Sequence, residues 1–195
     1  MTQPIQILAF AGSARIASFN KKLVKLAADG AKTAGAEVTN IDLLDYPMPL
    51  FNEDLEAQDG LPDTVLQFKA LLKRHQGFLI ACPEYNGSIT PLLKNAIDWA
   101  SRPEPGESPM ALSCFKGKVA ALLATSPGGL GGMRGLVHVR AILEGLGVMV
   151  IPEQKAIPGA YQAFDESGNL KDDKQLQGVQ AITQKLADVT AKLAQ

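Results

Sequence analysis

Residues 9–23 read AFAGSARIASFNKKL, and the order of residue types in them decides how the rest of the chain is read. An apolar run of strand character ends at Gly12, and a helical pattern begins at about Phe19. The first turn of a helix favours Asp and Glu, because the macrodipole presents partial positive charge there. This segment carries Arg15, Lys21 and Lys22 instead, beside the hydroxyls of Ser13 and Ser18, with no acid before Asp29. A strand that leads into a helix whose start is basic is one β-α unit with an anion site at its turn.

The same alternation continues outward from that unit. Residues 5–11 form the first strand, and Phe19, Leu23, Leu26, Ala27, Ala31 and Ala34 mark one face of the helix after it. Residues 36–44 alternate Val38 and Ile41 with polar neighbours, as in a strand near a sheet edge. Pro62 and Asp63 open the next helix in the ordinary way, and Val65, Leu66, Phe68, Leu71 and Leu72 line its apolar face. Residues 77–82 (GFLIAC) read as a buried strand; Thr90 then caps a helix starting at Pro91. Residues 119–125 are another apolar strand, followed by a glycine-rich turn and a helix over about 133–146. Residues 148–151 give a short last strand, and Leu176, Val179, Ile182, Leu186, Val189 and Leu193 make the stripe of a final helix.

Five β-α units with nearly continuous apolar strands predict an α/β fold, a doubly wound parallel sheet with helices on both faces. Right-handed crossovers and the count of five favour the flavodoxin-like strand order 2-1-3-4-5 over a six-stranded dinucleotide fold. Residues 1–195 are read as a single domain, with no repeat or linker. The irregular segments 46–60, 102–116 and 152–173 are long enough to expect function of them. Segments 46–60 and 102–116 are expected to shape the entrance to a site.

Composition excludes several classes. The net charge of −1 leaves no basic footprint for nucleic acid, so the positive charge of residues 15–22 is local. No apolar stretch approaches the ~20 residues of a membrane span, and the N-terminal MTQPIQILAFAG carries neither a basic leader nor a cleavage pattern. A cytoplasmic protein without membrane contact is expected. Cys82 and Cys114 match no metal spacing and read as reduced apolar residues. His75 and His138 are isolated, so no metal and no histidine-based nucleophilic chemistry is assigned.

In an open α/β sheet, ligands bind beyond the carboxyl ends of the strands where the strand order reverses. Three unusual loops meet there. GSARIAS (12–18) offers helix amides, Ser13, Ser18, the Asn20 amide and the planar fork of Arg15 to a phosphate. It lacks the Gly-Lys-Ser/Thr of a P-loop, and GxGxxG is absent here and in the later GGLGGMRG. The plainer alternative is a Ser18 cap with solvated basic residues. CPEYNGSIT (82–90) sets Glu84, Tyr85 and Asn86 between Pro83 and Gly87, which suits the edge of a flat ring, although the same composition is ordinary turn chemistry. Glu84 as a general acid or base lacks any second carboxylate or histidine nearby in sequence. TSPGGLGGMRG (125–135) packs four glycines between 128 and 132, for a close backbone approach or a flexible lid. Arg134 lies at the start of the next helix, against the dipole preference, and Arg102 or Arg134 could face a phosphate.

Together the three loops resemble the NADPH-dependent FMN reductase family: GSARIASFN matches its GSxRxxSxN pattern, and CPEYNGSITPLLKNAIDW and SPGGLGGMRG are similar to its second and third segments. The likeness runs from about residue 5 to 151. It implies non-covalent FMN, its phosphate on Ser13, Arg15, Ser18 and Asn20. The isoalloxazine edge would meet Pro83, Glu84, Tyr85, Asn86 and Gly87, with Ser126, Gly128 and Gly129 closing the other side. It also implies ping-pong chemistry, in which NADPH or NADH gives hydride to flavin N5 and a quinone, flavin, chromate or azo acceptor then takes two electrons. No catalytic residue is assigned, since flavin carries the redox chemistry. The alternative is a flavodoxin-type electron carrier, against which Arg15 and the near-neutral charge argue.

The resemblance implies a homodimer or homotetramer. In the helix over 133–146, Leu136, Val139 and Leu143 form one apolar stripe and Met133, Val137 and Ala141 a second, more than one sheet face requires. Trp99 is either a further subunit contact or a core residue.

Overall fold

The structure is a computed structural model that describes residues 4–194; Met1–Gln3 of the N-terminal reading and Gln195 lie outside the described residues. Strands β1 (Gln6–Ala11), β2 (Glu37–Asp42), β3 (Gly77–Ala81), β6 (Val119–Thr125) and β7 (Met149–Ile157) form one parallel sheet of order β2-β1-β3-β6-β7. With the two short hairpin strands β4 (Glu84–Tyr85) and β5 (Ser88–Ile89) set aside, this is the expected 2-1-3-4-5 order. Every residue of β3 and β6 is buried, because alternate side chains enter two different apolar layers. Ile7, Ala9, Leu79 and Leu123 pack towards α1 (Phe19–Thr33) and α7 (Asp173–Leu193). Leu8, Phe10, Phe78, Ile80 and Leu122 pack towards α3 (Asp63–Arg74), α4 (Pro91–Ser101) and α5 (Met133–Gly145). No helix among the described residues is long and apolar enough to cross a membrane.

Four segments differ from the sequence reading. Segment 46–60 is not irregular throughout: a 3-10 turn at Leu43–Asp45 precedes it, and it holds α2 (Glu53–Asp59), capped by the Asn52 side chain, which accepts from Asp54 N at 2.8 Å. Helix α2 buries no residue and so shows no apolar period. The last strand runs on to Ile157 through an irregularity. Ala120 pairs with Val150 but Leu122 with Gln154, so two steps on β6 face four on β7. Pro152 lies in that excess, tolerated because β7 is an edge strand. After it come α6 (Ala160–Ala163) and a bridge between Phe164 and Leu170.

Segment 102–116 does not shape a carboxyl-edge entrance. It runs from the end of a helix to the start of a strand, and in a parallel sheet such connections lie at the amino edge. Lys73, in the last turn of α3, meets Glu104 at 2.7 Å and Glu107 at 2.9 Å, while Lys118 Nζ donates to the carbonyls of Lys73 and His75 at 2.8 and 2.6 Å. Arg102 is likewise engaged, with Glu56 at 2.7 Å. Trp99 is fully buried: its indole N–H donates to Pro49 O at 2.7 Å and its ring meets Phe51 edge-on, so it anchors segment 46–60 and faces no partner subunit.

Candidate functional site

Three short-range ties draw the carboxyl-edge loops together. Gly12 N donates to Ala81 O at 2.9 Å, joining the loop after β1 to the end of β3. The Thr90 hydroxyl, which caps α4 by accepting from Leu93 N at 3.2 Å, donates to Gly12 O at 2.7 Å. Asn20 spans the third gap: its amide donates to Thr125 O at 2.9 Å and its carbonyl accepts from Thr125 N at 3.0 Å, fixing the start of α1 to the end of β6. Asn20 is buried, and this two-way clasp uses its carbonyl and one of its two amide hydrogens.

The basic residues of 15–22 now separate. Lys21 is paired with Asp42 at 2.5 Å, and the Lys22 ammonium lies 5.3 Å from the Phe19 ring centroid. Arg15 is exposed and forms no ion pair among the described residues. Ser18 sits at the N-cap of α1 yet makes no side-chain cap bond, and no acid stands in the first turn. The Ser18 side-chain cap is therefore not realised, and the first helix amides and the exposed guanidinium of Arg15 lie within one loop of each other. Ser13 is buried, with its hydroxyl accepting from Arg15 N at 3.3 Å, which turns the loop back on itself.

The segment after β3 is a hairpin. Glu84 pairs with Ile89 and Tyr85 with Ser88, and Asn86 and Gly87 carry φ of 51° and 78°. Two central residues with positive φ make a type I′ turn, for which Asn-Gly is a strong sequence signal. Pro83 is buried and Tyr85 half exposed. Glu84 does not stand free: its carboxylate accepts from Arg134 Nε at 2.8 Å, from Arg134 Nη2 at 2.5 Å and from Gly135 N at 3.2 Å. Burial would raise its pKa, but the Arg134 guanidinium and the Gly135 N–H hold the carboxyl below its ordinary value. A carboxylate so held is a poor proton donor, and both of its oxygens already accept hydrogen bonds, so the geometry gives no support to the acid/base alternative. The same contact explains Arg134 at a helix start: the anion that α5 prefers there comes from Glu84, 50 residues earlier.

In the loop after β6, Ser126 N donates to Ile157 O at 3.3 Å and Ser126 O accepts from Ala160 N at 3.1 Å; Gly128 O accepts from Gly131 N at 3.2 Å. The glycines are not equivalent. At Gly131 φ is 62°, and a Cβ would stand 2.6 Å from Ile157 C and 2.7 Å from Pro158 N, so the fold itself requires glycine. At Gly129 a Cβ would meet nothing within 4 Å, and φ lies outside the left-handed region. Packing of the chain does not demand glycine at 129, and the backbone there is open to close approach from outside.

These observations suit FMN. An uncapped helix start with a free arginine fits a phosphate, and a backbone turn and an open glycine pair at neighbouring strand ends fit a flat ring with polar edges. A cavity of about 1370 Å³ at the opposite, amino edge lies between Gln6, Gly35, Arg74 and Asp188, far from all three loops. It lacks the strand carboxyl ends at which such sheets bind ligands. Among the described residues no cluster of His, Cys, Asp and Glu could hold a metal ion. Sequence reasoning missed Thr90 as a tie to Gly12, Thr125 as the partner of Asn20, and Arg134 as the partner of Glu84.

Comparison with known proteins agrees with this geometry. The family model described as NADPH-dependent FMN reductase matches residues 5–162. An NAD(P)H-dependent FMN reductase of Pseudomonas aeruginosa is 37% identical over 187 residues, covering 95% of each chain. An NAD(P)H:quinone oxidoreductase of Solanum tuberosum is 34% identical over 194 residues, covering 97% of this chain and 94% of the relative. Among solved structures, the flavoenzyme NAD(P)H:(acceptor) oxidoreductase FerB of Paracoccus denitrificans superposes with a TM-score of 0.80 at 28% identity, over 96% of this chain and 98% of that one.

Proposed function

The chain belongs to the NADPH-dependent FMN reductase family, an oxidoreductase that uses FMN and NAD(P)H, and from that premise we propose how its carboxyl-edge loops divide the work. Arg15, the Ser13 and Ser18 hydroxyls and the first amides of α1 hold the FMN phosphate. Asn20 positions that loop through Thr125. The hairpin 83–87 meets the edge of the ring with backbone groups, and Ser126, Gly128 and Gly129 lie along its other side. Bound FMN supplies a hydride acceptor at N5 for NAD(P)H and, in a ping-pong cycle, two electrons for a quinone, flavin, chromate or azo-type acceptor. The protein contributes placement, exclusion of water from one side of the ring, and amides that favour negative charge on it. An exposed Arg15 without an ion pair among the described residues, three residues before an uncapped helix start, is the observation that carries this reading.

Association through α5 belongs to the same reading. Met133 and Val137 are 49% and 59% exposed, Leu130 beside them is 49% exposed, and Leu136 and Val139 on the opposite face are fully buried. A homodimer or homotetramer covers this second stripe. The free, buried Cys82 and Cys114 suit a reducing cytoplasm.

The test is direct. Purified protein should bind one FMN per chain and oxidise NADPH or NADH with a benzoquinone acceptor. Full FMN loading with no oxidation of either nucleotide, over a panel of acceptors, overturns the enzyme reading in favour of an electron carrier.

A further inference from the structure

The hairpin after β3 has no place in the main sheet: β4 and β5 pair only with each other. Strands of two residues do not hold together in water by themselves, so the turn that faces the ring needs a mount. Helix α5 provides it. Beyond the Glu84–Arg134–Gly135 contacts, Ser88 Oγ and His138 Nδ1 are 2.8 Å apart, and a Cβ on Gly135 would come within 3.3 Å of Ser88 O. Arg134 Nε lies 3.9 Å from where a Cβ on Gly87 would stand, so the guanidinium runs beneath the turn.

The charges in this mount are unequal in their access to water. The Glu84 side chain is 7% exposed and that of Arg134 is 63% exposed. The anion is thus the inner partner, close to the backbone assigned to the ring edge, and the cation is the outer one. An inner carboxylate without its cation would oppose the negative charge that accumulates on a reduced ring.

We propose that Arg134 is a positioning residue that neutralises Glu84 beneath the hairpin 84–89 and thereby sets the reduction potential of the bound flavin. This rests on the placement of the ring edge at residues 83–87. The two members of the pair act with opposite sign. Removing the cation leaves an anion near the ring and makes reduction harder; removing the anion leaves a cation and makes it easier.

The experiment measures the midpoint potential of FMN in the loaded protein and its Arg134→Gln, Glu84→Gln and doubly substituted forms. For Arg134→Gln the preference for reduced over oxidised FMN falls about tenfold, which is about 30 mV downward for a two-electron couple. Glu84→Gln shifts the potential upward, and the double variant returns towards the unsubstituted protein, as a coupled pair requires. Arg134→Lys, which keeps the charge without the fork, stays near the unsubstituted value. Shifts of the same sign, no shift, or a double variant displaced further than either single one would overturn the proposal. If Arg134→Gln does not load FMN, the sign of the Glu84→Gln shift and the behaviour of Arg134→Lys decide. Failure of the unsubstituted protein to bind FMN would instead remove the ring placement, a result distinct from loaded protein whose variants do not move.

Discussion

Replacing Gly129 with alanine separates what the fold needs from what a ligand needs. A Cβ there meets no atom within 4 Å, and the backbone is not left-handed, so the free protein accommodates it. The change then acts through the unfolded chain, whose lost freedom stabilises the fold by about 0.4–1 kcal/mol. In a chain of this length that is a rise in Tm of about 1–4 °C. If the flavin ring lies against residues 128 and 129, the methyl occupies its space, and overfilling of that kind costs about 1–3 kcal/mol. FMN affinity should fall about 5- to 150-fold. Gly131→Ala is the control, because its Cβ would strike the Ile157 and Pro158 backbone at 2.6–2.8 Å from a φ of 62°. It should destabilise the free protein by about 3 kcal/mol or more. Thermal unfolding without FMN gives the first quantity, and quenching of FMN fluorescence on titration gives the second. A Gly129→Ala protein that binds FMN as tightly as the unsubstituted one refutes the placement of the ring; one that melts several degrees lower refutes the reading of the glycine.

Three further outcomes are expected. Arg15→Ala should weaken FMN binding by about 1.5–3 kcal/mol, as loss of a charge-assisted phosphate contact, and leave riboflavin binding unchanged in the same titration. Asn20→Ala strands the buried N–H and C=O of Thr125 and should lower the unfolding free energy by about 2–4 kcal/mol, read from the urea midpoint. His75 is buried, its Nδ1–H donating to Leu71 O at 2.6 Å and its Nε2 accepting from the Thr39 hydroxyl at 2.8 Å. Burial pushes its pKa down, against the hydrogen bond to Leu71 O that raises it, and the Arg74 and Lys118 charges add to the lowering. The unfolded chain therefore takes up the proton first, and the contribution to stability, complete above about pH 6.5, declines as the pH falls below that. Tm should drop between pH 7 and pH 5, and His75→Gln should flatten that part of the profile.

How far the sequence discloses this molecule depends on the range of each interaction. Strand order and the two layers follow from periodicity, which every residue of β3 and β6 expresses. The Asn86-Gly87 hairpin is also legible, as a local turn preference, although its proline and serine neighbours make it read as a mere loop. Helix α2 leaves no trace because it turns no face to the core. Pro152 suggests that the last strand stops, whereas the structure carries it through an edge irregularity. Of the proposed site, Ser13, Arg15 and Ser18 lie within one loop and are readable there. Asn20 finds its partner 105 residues away and Glu84 finds Arg134 50 residues away, and no local pattern announces either pair. The basic start of α5 is the visible half of the second.

The irregular register of β7 bears on what the open edge of the sheet can accept. A nine-residue strand at the margin of a sheet is an open template for strand-to-strand growth. Here the template is interrupted in mid-course by the excess residues and by Pro152, which has no N–H to offer, with Glu153 and Lys155 adding charge beside it. Fibril-like addition at that margin is thereby disfavoured, whereas the exposed flank of α5, proposed above as the subunit contact, would close by helix packing into a finite assembly.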